Sequence, residues 1–438
     1  MATHDQLCRL KSELPILLRA MWVTVTAPML KASSITQMLR GIGILAMSGV
    51  LGVAIFLGLL WNEHNTVTRL PAPTGPYAVG RTIYTWSAAS QTDKLAPLLG
   101  TTRELIAWIW YPAANNQPDF RTEYLPAQWR AAVERERGML NSKFITRDLS
   151  LVHVHSTQDA NLSPALQTYP VVIMRAGLAA LTVEYSTLAE DLASHGYVVV
   201  GFDAPLRTAV VVFSDGRVVT RTPENDPEVA SGPERDRIIG NLLAAWSSDM
   251  AFALDQLGQM NTGSAPGRFT GRLDLRHIGV VGHSLGGATA AQFCHEDARC
   301  RAGIDVDGAP YGSVIRDGMS KPFMFLVSDH GPASDPDIRR VSADIQSIYD
   351  WLPPEGRLWI AIKGANHFGF SDGLLIKNQQ LLWLLRLLGI TNIDPRQQLA
   401  ATAYSIHTFF DIYLKAAPTS TLHDLSVAYP EIQVVRQP

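Results

Sequence analysis

The heptapeptide Gly282-His283-Ser284-Leu285-Gly286-Gly287-Ala288 constrains this chain more than any other stretch, because it prescribes a strand, a tight turn and a helix in immediate succession. The apolar run Ile278-Gly279-Val280-Val281 leads into it, and Ala288-Thr289-Ala290-Ala291-Gln292 continues as a helix. A serine with glycines two positions away on each side, at a strand-to-helix turn, has the pattern of a nucleophile elbow. Such a turn strains the serine backbone, pushes the hydroxyl into the open and leaves room only for neighbours without a Cβ. The backbone N–H of Leu285 then points where an oxyanion would form. A chance G-x-S-x-G is common in loops, but the strand-then-helix context argues against chance here.

The rest of the chain supplies the sheet that an elbow needs. Apolar, β-branched runs recur at 104–111, 169–175, 197–202, 277–281, 301–306, 322–327 and 357–362. Helical patterns lie between the later runs, at 185–195, 235–260, 288–297 and 335–351. This alternation predicts an α/β fold with a mostly parallel central sheet flanked by helices. Runs such as Val171-Val172-Ile173-Met174 and Val198-Val199-Val200 are apolar on both faces, as buried parallel strands are. Two insertions interrupt the pattern. One spans 112–168 and includes a helix-like stretch at 126–138; the other carries Asp215-Gly216 between β-branched runs, which predicts a β-hairpin. A further helix is expected at 394–415, with a peripheral tail from Pro418.

The amino-terminal region has a different character. From Gly41 to Trp61 about 21 residues carry no charge, and as a helix they span about 31 Å, enough for a hydrocarbon core of about 30 Å. Arg9, Lys11, Arg19, Lys31 and Arg40 precede this run, whereas Arg69 alone follows it closely. The positive-inside rule therefore places the amino terminus in the cytoplasm and the rest of the chain outside it. A cleaved signal peptide is the rival reading, but the run is longer than an h-region and begins late. Residues 14–30 are also apolar but are broken by Pro15, Arg19 and Pro28, so they are expected to lie along the membrane surface. If they inserted, the topology would invert. The expected organisation is a cytoplasmic segment at 1–40, a transmembrane helix at 41–61, a stiff proline-rich linker at 62–76, a catalytic domain at 77–416 and a tail at 417–438.

Composition narrows the partners. The formal net charge of −3 over 438 residues gives no reason to expect nucleic acid. Three cysteines, Cys8, Cys294 and Cys300, neither build a disulfide framework nor match a zinc motif. Whether Cys294 and Cys300 pair, or remain two buried thiols, is open at this level, and so is the oligomeric state.

A serine hydroxyl attacks an ester only with a general base, and the base needs a carboxylate to orient it. Among the 12 histidines, candidates after Ser284 include His295, His330, His367 and His407. His367 lies just past the last strand candidate, where a base belongs. His295 and His407 fall within helices and read as structural. Two aspartates end strands: Asp307, with Asp305 two positions deeper on the same face, and Asp329 after the next strand. Position alone leaves the choice between Asp307 and Asp329 open.

Several segments together resemble the α/β-hydrolases of the plasma-type platelet-activating factor acetylhydrolase family. They are Gly75-Pro76-Tyr77-Ala78-Val79-Gly80, Tyr169-Pro170-Val171-Val172, Asp191 to Val199, the elbow with Thr289, and Gly303-Ile304-Asp305-Val306-Asp307, so the resemblance spans about Thr74 to Lys415. It implies an α/β-hydrolase fold and an acid placed unusually early, which carries over onto Asp307, about 23 residues after Ser284. It also implies a second oxyanion donor in the loop that reads Ala176-Gly177-Leu178-Ala179 here, namely the N–H of Leu178. The family usually has histidine where Ala176 stands. Arg175 before it either meets an anionic head group or is salt-bridged near the loop.

The expected activity is hydrolysis of a carboxylic ester through an acyl-enzyme on Ser284, with no metal or organic cofactor. The resemblance points to short or oxidised sn-2 acyl groups of phospholipids. The alternatives are a general carboxylesterase resembling dienelactone hydrolase, a cutinase-like polyester hydrolase, and a silent surface scaffold, which would ordinarily have lost one of the three groups.

Overall fold

The computed structural model describes residues 32–98, 100–114, 121–263, 267–329, 335–387 and 393–436. The amino-terminal segment at 14–30 and His330 lie outside the described residues. The chain divides into two units, one up to Gly58 and one from Leu59 onward. Within the first runs most of helix α1 (Ala32–His64). Its side chains from Thr36 to Ile55 are exposed on every face, including Leu45 at 80% and Met47 at 74%. A helix that is apolar all round has no stripe to bury against a core. Among the described residues it is the one helix long and apolar enough to cross a membrane.

The second unit is built on a 12-stranded sheet. Its main strands are β1 (Ala78–Thr92), β2 (Thr102–Ala113), β3 (Val152–Gln158), β4 (Tyr169–Arg175), β5 (Val198–Asp203), β6 (Leu273–His283), β7 (Cys300–Val306), β8 (Phe323–Val327), β9 (Arg357–Ile362) and β10 (Ile432–Arg436). They lie in the order β3-β1-β2-β5-β4-β6-β7-β8-β9-β10. From β5 to β9 all neighbours are parallel; β2 runs antiparallel to β1 and β5, and β10 antiparallel to β9. Strand order reverses between β4 and β6, so the carboxyl ends of the parallel strands open onto a crevice.

Helices cover both faces. On one side α2 (Ala127–Leu140), α3 (Ser186–Ser194) and, from later in the chain, α8 (Pro395–Lys415) pack on Val172, Val199, Val281, Ile304 and Leu326. On the other, α4 (Gly232–Thr262), α5 (Leu285–Glu296) and α6 (Pro336–Trp351) pack on Val171, Ile173, Val200, Val280 and Phe325. Each fully buried valine of this kind contributes about 1.5–3 kcal/mol relative to exposure. A short amphipathic helix, α7 (Gln379–Leu387), precedes α8.

Three features depart from the sequence expectations. The stiff 62–76 linker docks on the domain it was expected only to precede: Leu70 is 2% exposed, its N–H donates to His153 O (3.2 Å), and Thr74 N–H and Oγ1 both donate to Asp191 Oδ1. A proline-rich segment is pre-extended, so it adds to a sheet edge at low entropic cost. The tail from Pro418 is only partly peripheral, because it returns to pair as β10 with Leu425 and Ile432 each 1% exposed. Finally, β1, β3 and β10 are strands without a continuous apolar run, since polar residues such as Arg81, His153 and Gln433 interrupt their pattern.

Cys294 and Cys300 form a disulfide between the end of α5 and the start of β7, with Cα atoms 5.1 Å apart. The predicted hairpin is present as Val210–Val212 paired with Val218–Thr220.

Candidate active site

Parallel strands β4, β6, β7 and β9 deliver the groups of the site at their carboxyl ends. Sheet pairing continues through the key residues: Ser284 N–H donates to Val306 O (2.9 Å) and Asp307 N–H to Leu326 O (2.7 Å). Both sit at positive φ, 59° for Ser284 and 54° for Asp307. Left-handed backbone at a non-glycine residue costs on the order of 1–3 kcal/mol and persists where the surroundings over-determine it. The close packing needs glycine: a Cβ on Gly282 would overlap the Gly286 carbonyl, and one on Gly286 would lie 2.6 Å from the Ala176 carbonyl oxygen.

His367 follows β9 on a turn through Gly364, at φ 74°. Its Nδ1 lies 2.8 Å from Asp307 Oδ2 and its Nε2 lies 3.0 Å from Ser284 Oγ. A carboxylate only accepts, so Nδ1 carries the hydrogen and Nε2 presents its lone pair to the serine hydroxyl. Asp307 has a fully buried side chain, and its other oxygen accepts from the N–H of Ser328 (2.7 Å). The imidazole is 40% exposed and faces the crevice.

The rival aspartates are occupied elsewhere. Asp329 Oδ2 accepts from Gly364 N–H (2.8 Å), and its own N–H donates to Ala365 O, so it braces the turn that carries His367. Asp305 lies one step deeper, as period two requires, with Oδ1 accepting from Gly308 N–H (2.8 Å). Burial, reinforced by the charge of Asp307, pushes its carboxyl well above the usual range.

The loop after β4 packs against the elbow, and a Cβ on Gly177 would lie 3.3 Å from Ser284 Cβ. Leu178 follows directly, and Ala179 turns the chain back at φ 61°. Leu285 opens α5, and the first N–H groups of a helix have no partner within it. The side chains of Leu178 and Leu285 pack on Ile238, Leu242 and Trp246 of α4, so an apolar wall stands beside the two candidate donors.

Arg175 matches neither sequence reading. It is 1% exposed, its Nη1 donates to Phe202 O (3.0 Å), and its guanidinium lies 3.9 Å from the Trp246 ring centroid. Burial lowers it to about 10 despite the charges of Asp249 and Asp203. Among the described residues it makes no direct ion pair; cation–π stacking takes that place.

Two further side chains support the site. Gln398 of α8 clamps Asn366 from both sides, with Nε2 donating to Asn366 O (2.8 Å) and Oε1 accepting from Asn366 N–H (3.2 Å). His283, inside the elbow, bridges to the carbonyl of His367 (2.9 Å) and to the Tyr185 hydroxyl (2.7 Å). Nothing local marks Gln398 or Tyr185. His295 and His407 are structural, bound to Gly318 O (2.6 Å) and Asp191 (2.8 Å) respectively.

Among the described residues one group, Asp191, His195 and His407, brings metal-type donor atoms within 4.8 Å of one another. Its atoms are taken up with each other and with Thr74, which pins the connector.

Comparison with known proteins agrees with this architecture. A "Ferulic acid esterase from Streptomyces cinnamoneus" superposes with a TM-score of 0.66 at 24% identity, covering 84% of this chain and 99% of the esterase. The "Platelet-activating factor acetylhydrolase" of Cavia porcellus is 26% identical over 352 residues, 74% of this chain and 73% of that protein. A "Probable 1-alkyl-2-acetylglycerophosphocholine esterase" of Arthroderma benhamiae is 23% identical over 390 residues, 83% of this chain and 92% of that protein. The family described as "Platelet-activating factor acetylhydrolase, isoform II" matches residues 63–224 and 260–417. With an α/β-hydrolase sheet, an elbow serine and a match over most of its length, this chain belongs to the platelet-activating factor acetylhydrolase isoform II family of esterases.

Proposed function

We propose that Ser284, His367 and Asp307 are the catalytic triad of a membrane-anchored esterase that removes short acyl groups from glycerophospholipids. The observation that carries this reading is the unbroken hydrogen-bonded line from Ser284 Oγ through His367 to Asp307. Ser284 Oγ attacks the ester carbonyl while His367 Nε2 takes its proton, and Asp307 stabilises the imidazolium. The N–H groups of Leu178 and Leu285 receive the oxyanion. His367 then protonates the leaving alcohol. A water activated by the same nitrogen releases the acid and restores Ser284. The names of the relatives supply the acyl and head-group class, acetyl on an alkyl-glycerophosphocholine.

The membrane reading rests on α1 and on what borders its end. Asn378 Nδ2 donates to Leu60 O (2.8 Å), and the Trp61 ring lies tilted against that of Phe144, with centroids 6.2 Å apart. Exposed Trp61, Met139, Leu140, Trp383 and Leu387 belong to these same elements or their immediate continuations, a composition suited to a lipid interface. The basic excess before the helix and the Cys294–Cys300 disulfide favour an extracytoplasmic catalytic domain.

The full chain in detergent should hydrolyse p-nitrophenyl acetate, and Ser284→Ala should abolish it. Retained turnover in that variant would remove Ser284 as nucleophile. A panel of phospholipids with acetyl against long sn-2 chains tests the substrate class, and equal rates across the panel would refute it.

A further inference from the structure

We infer that Tyr185 and His283 form a positioning relay that locks the oxyanion loop and the loop of the base onto the nucleophile elbow, with His283 confined to one tautomer. The inference rests on Ser284 and His367 acting as proposed above.

The direction of each hydrogen bond follows from what the groups can donate. His283 Nε2 faces the main-chain oxygen of His367 at 2.9 Å. A carbonyl only accepts, so Nε2 carries the hydrogen. His283 Nδ1 is then an acceptor, and the Tyr185 hydroxyl 2.7 Å away must donate to it. The same phenolic oxygen accepts from Gly177 N–H at 3.1 Å. The opposite tautomer would set an N–H against the hydroxyl hydrogen, or leave one contact unmade, and would aim a lone pair at the His367 carbonyl. Burial enforces the choice, since His283 is 7% exposed and Tyr185 is 3% exposed. Phe370 closes the remaining side, with its ring 5.8 Å from that of His283.

The chain therefore joins three segments that are distant in sequence. Gly177 belongs to the loop that offers the Leu178 N–H. His283 precedes the nucleophile. His367 contributes its own main chain, whose orientation aims the imidazole at Ser284 Oγ. The relay touches none of the reacting atoms; it sets where they stand, and misplacement by about 1 Å costs a reaction on the order of a hundredfold.

The full chain in detergent is tested with Tyr185→Phe, His283→Leu and His283→Gln, using kcat and KM for p-nitrophenyl acetate, thermal midpoints, and 15N NMR of the His283 ring. The wild type should show the Nε2–H tautomer at pH 7. Tyr185→Phe should keep that tautomer, which the His367 carbonyl fixes, and give a kcat lower by about tenfold, with KM changed less than about twofold. His283→Leu should lose more. His283→Gln, which keeps an amide donor for the His367 carbonyl, should recover most of that loss. A wild-type Nδ1–H tautomer would overturn the relay, as would wild-type kcat in Tyr185→Phe or in His283→Leu. Should His283→Leu fail to fold, Tyr185→Phe and His283→Gln decide alone. If Ser284→Ala is inactive while Tyr185→Phe is unchanged, the relay fails and the triad stands; if Ser284→Ala is active, the triad fails, and the ring tautomer still reports on the hydrogen-bond chain.

Discussion

Asp307 and His367 lie 60 residues apart in the chain, yet their side chains meet at 2.8 Å because β7 and β9 end on the same edge of the sheet with only β8 between them. Asp329, two residues past the end of β8, is nearer to His367 in sequence and spends its carboxylate on the Gly364 N–H. This contrast makes a direct comparison informative. Asp307→Asn should lower kcat by about 10⁴, as expected when the base loses its tautomer, whereas Asp329→Asn should cost much less. Steady-state rates on p-nitrophenyl acetate measure both. The reverse ranking would transfer the acid to Asp329.

Burial, followed by the nearby His367, pulls His283 down to about 3. In the unfolded chain a histidine titrates near 6.5, so between about pH 6.5 and 3 the unfolded state binds a proton that the native state does not. Stability should therefore rise with pH across this window and be lost as pH falls through it. The slope approaches about 1.4 kcal/mol per pH unit, or about 2 kcal/mol between pH 6.5 and 5. Asp203, raised by burial to about 6, acts with the opposite sign, but equally in both proteins compared. The thermal midpoint of wild type should accordingly drop more between pH 7 and 5 than that of His283→Gln. Equal drops would show that His283 is not held neutral.

Trp246 stands behind Leu178 and Leu285 and is stacked on Arg175. It should set the depth available to the acyl chain. Trp246→Ala should raise the ratio of kcat/KM for hexanoate over acetate esters by about tenfold or more, since each methylene admitted is worth about 1–3 kcal/mol. The cavity should also destabilise the fold by about 3–5 kcal/mol, so Trp246→Phe and Leu242→Ala are needed beside it. An unchanged ratio in all three would place the acyl chain elsewhere.

The Cys294–Cys300 bridge closes a loop of sequence separation 6 at the far end of α5 from Ser284. Reduction should lower stability by about 2 kcal/mol, the chain-entropy value for so short a loop, and leave turnover at 25 °C unchanged. Thiol alkylation with and without reductant, followed by thermal melts and rate assays, checks both halves. Loss of activity on reduction would mean that the bridge also supports the elbow.

Much of this site was legible in the chain. Strands buried on both faces, such as Tyr169–Arg175, announce themselves as continuous apolar runs, and an elbow is a local motif whose glycines are required by contacts a few residues away. His367 stands out as a candidate because it follows the last such run. Strands β1 and β3 carry no such signal, because each mixes core contacts with polar groups, such as Arg81, that find their partners only in the folded chain. The docking of the 70–76 connector was hidden for the same reason, since its partners Asp191 and Ser194 lie more than a hundred residues away.

By itself, then, the sequence determined the strand–turn–helix at Ser284, the long apolar helix near the amino terminus and the alternation that builds a parallel sheet, because each depends on the periodicity and shape of neighbouring residues. The tertiary structure decided which aspartate reaches His367, that Cys294 and Cys300 pair, that Arg175 is buried on Trp246, and that Tyr185 and His283 tie the loops together. Those outcomes turn on hydrogen-bond direction and separations of a few ångströms between segments far apart in the chain, which strand order and register set and local pattern does not.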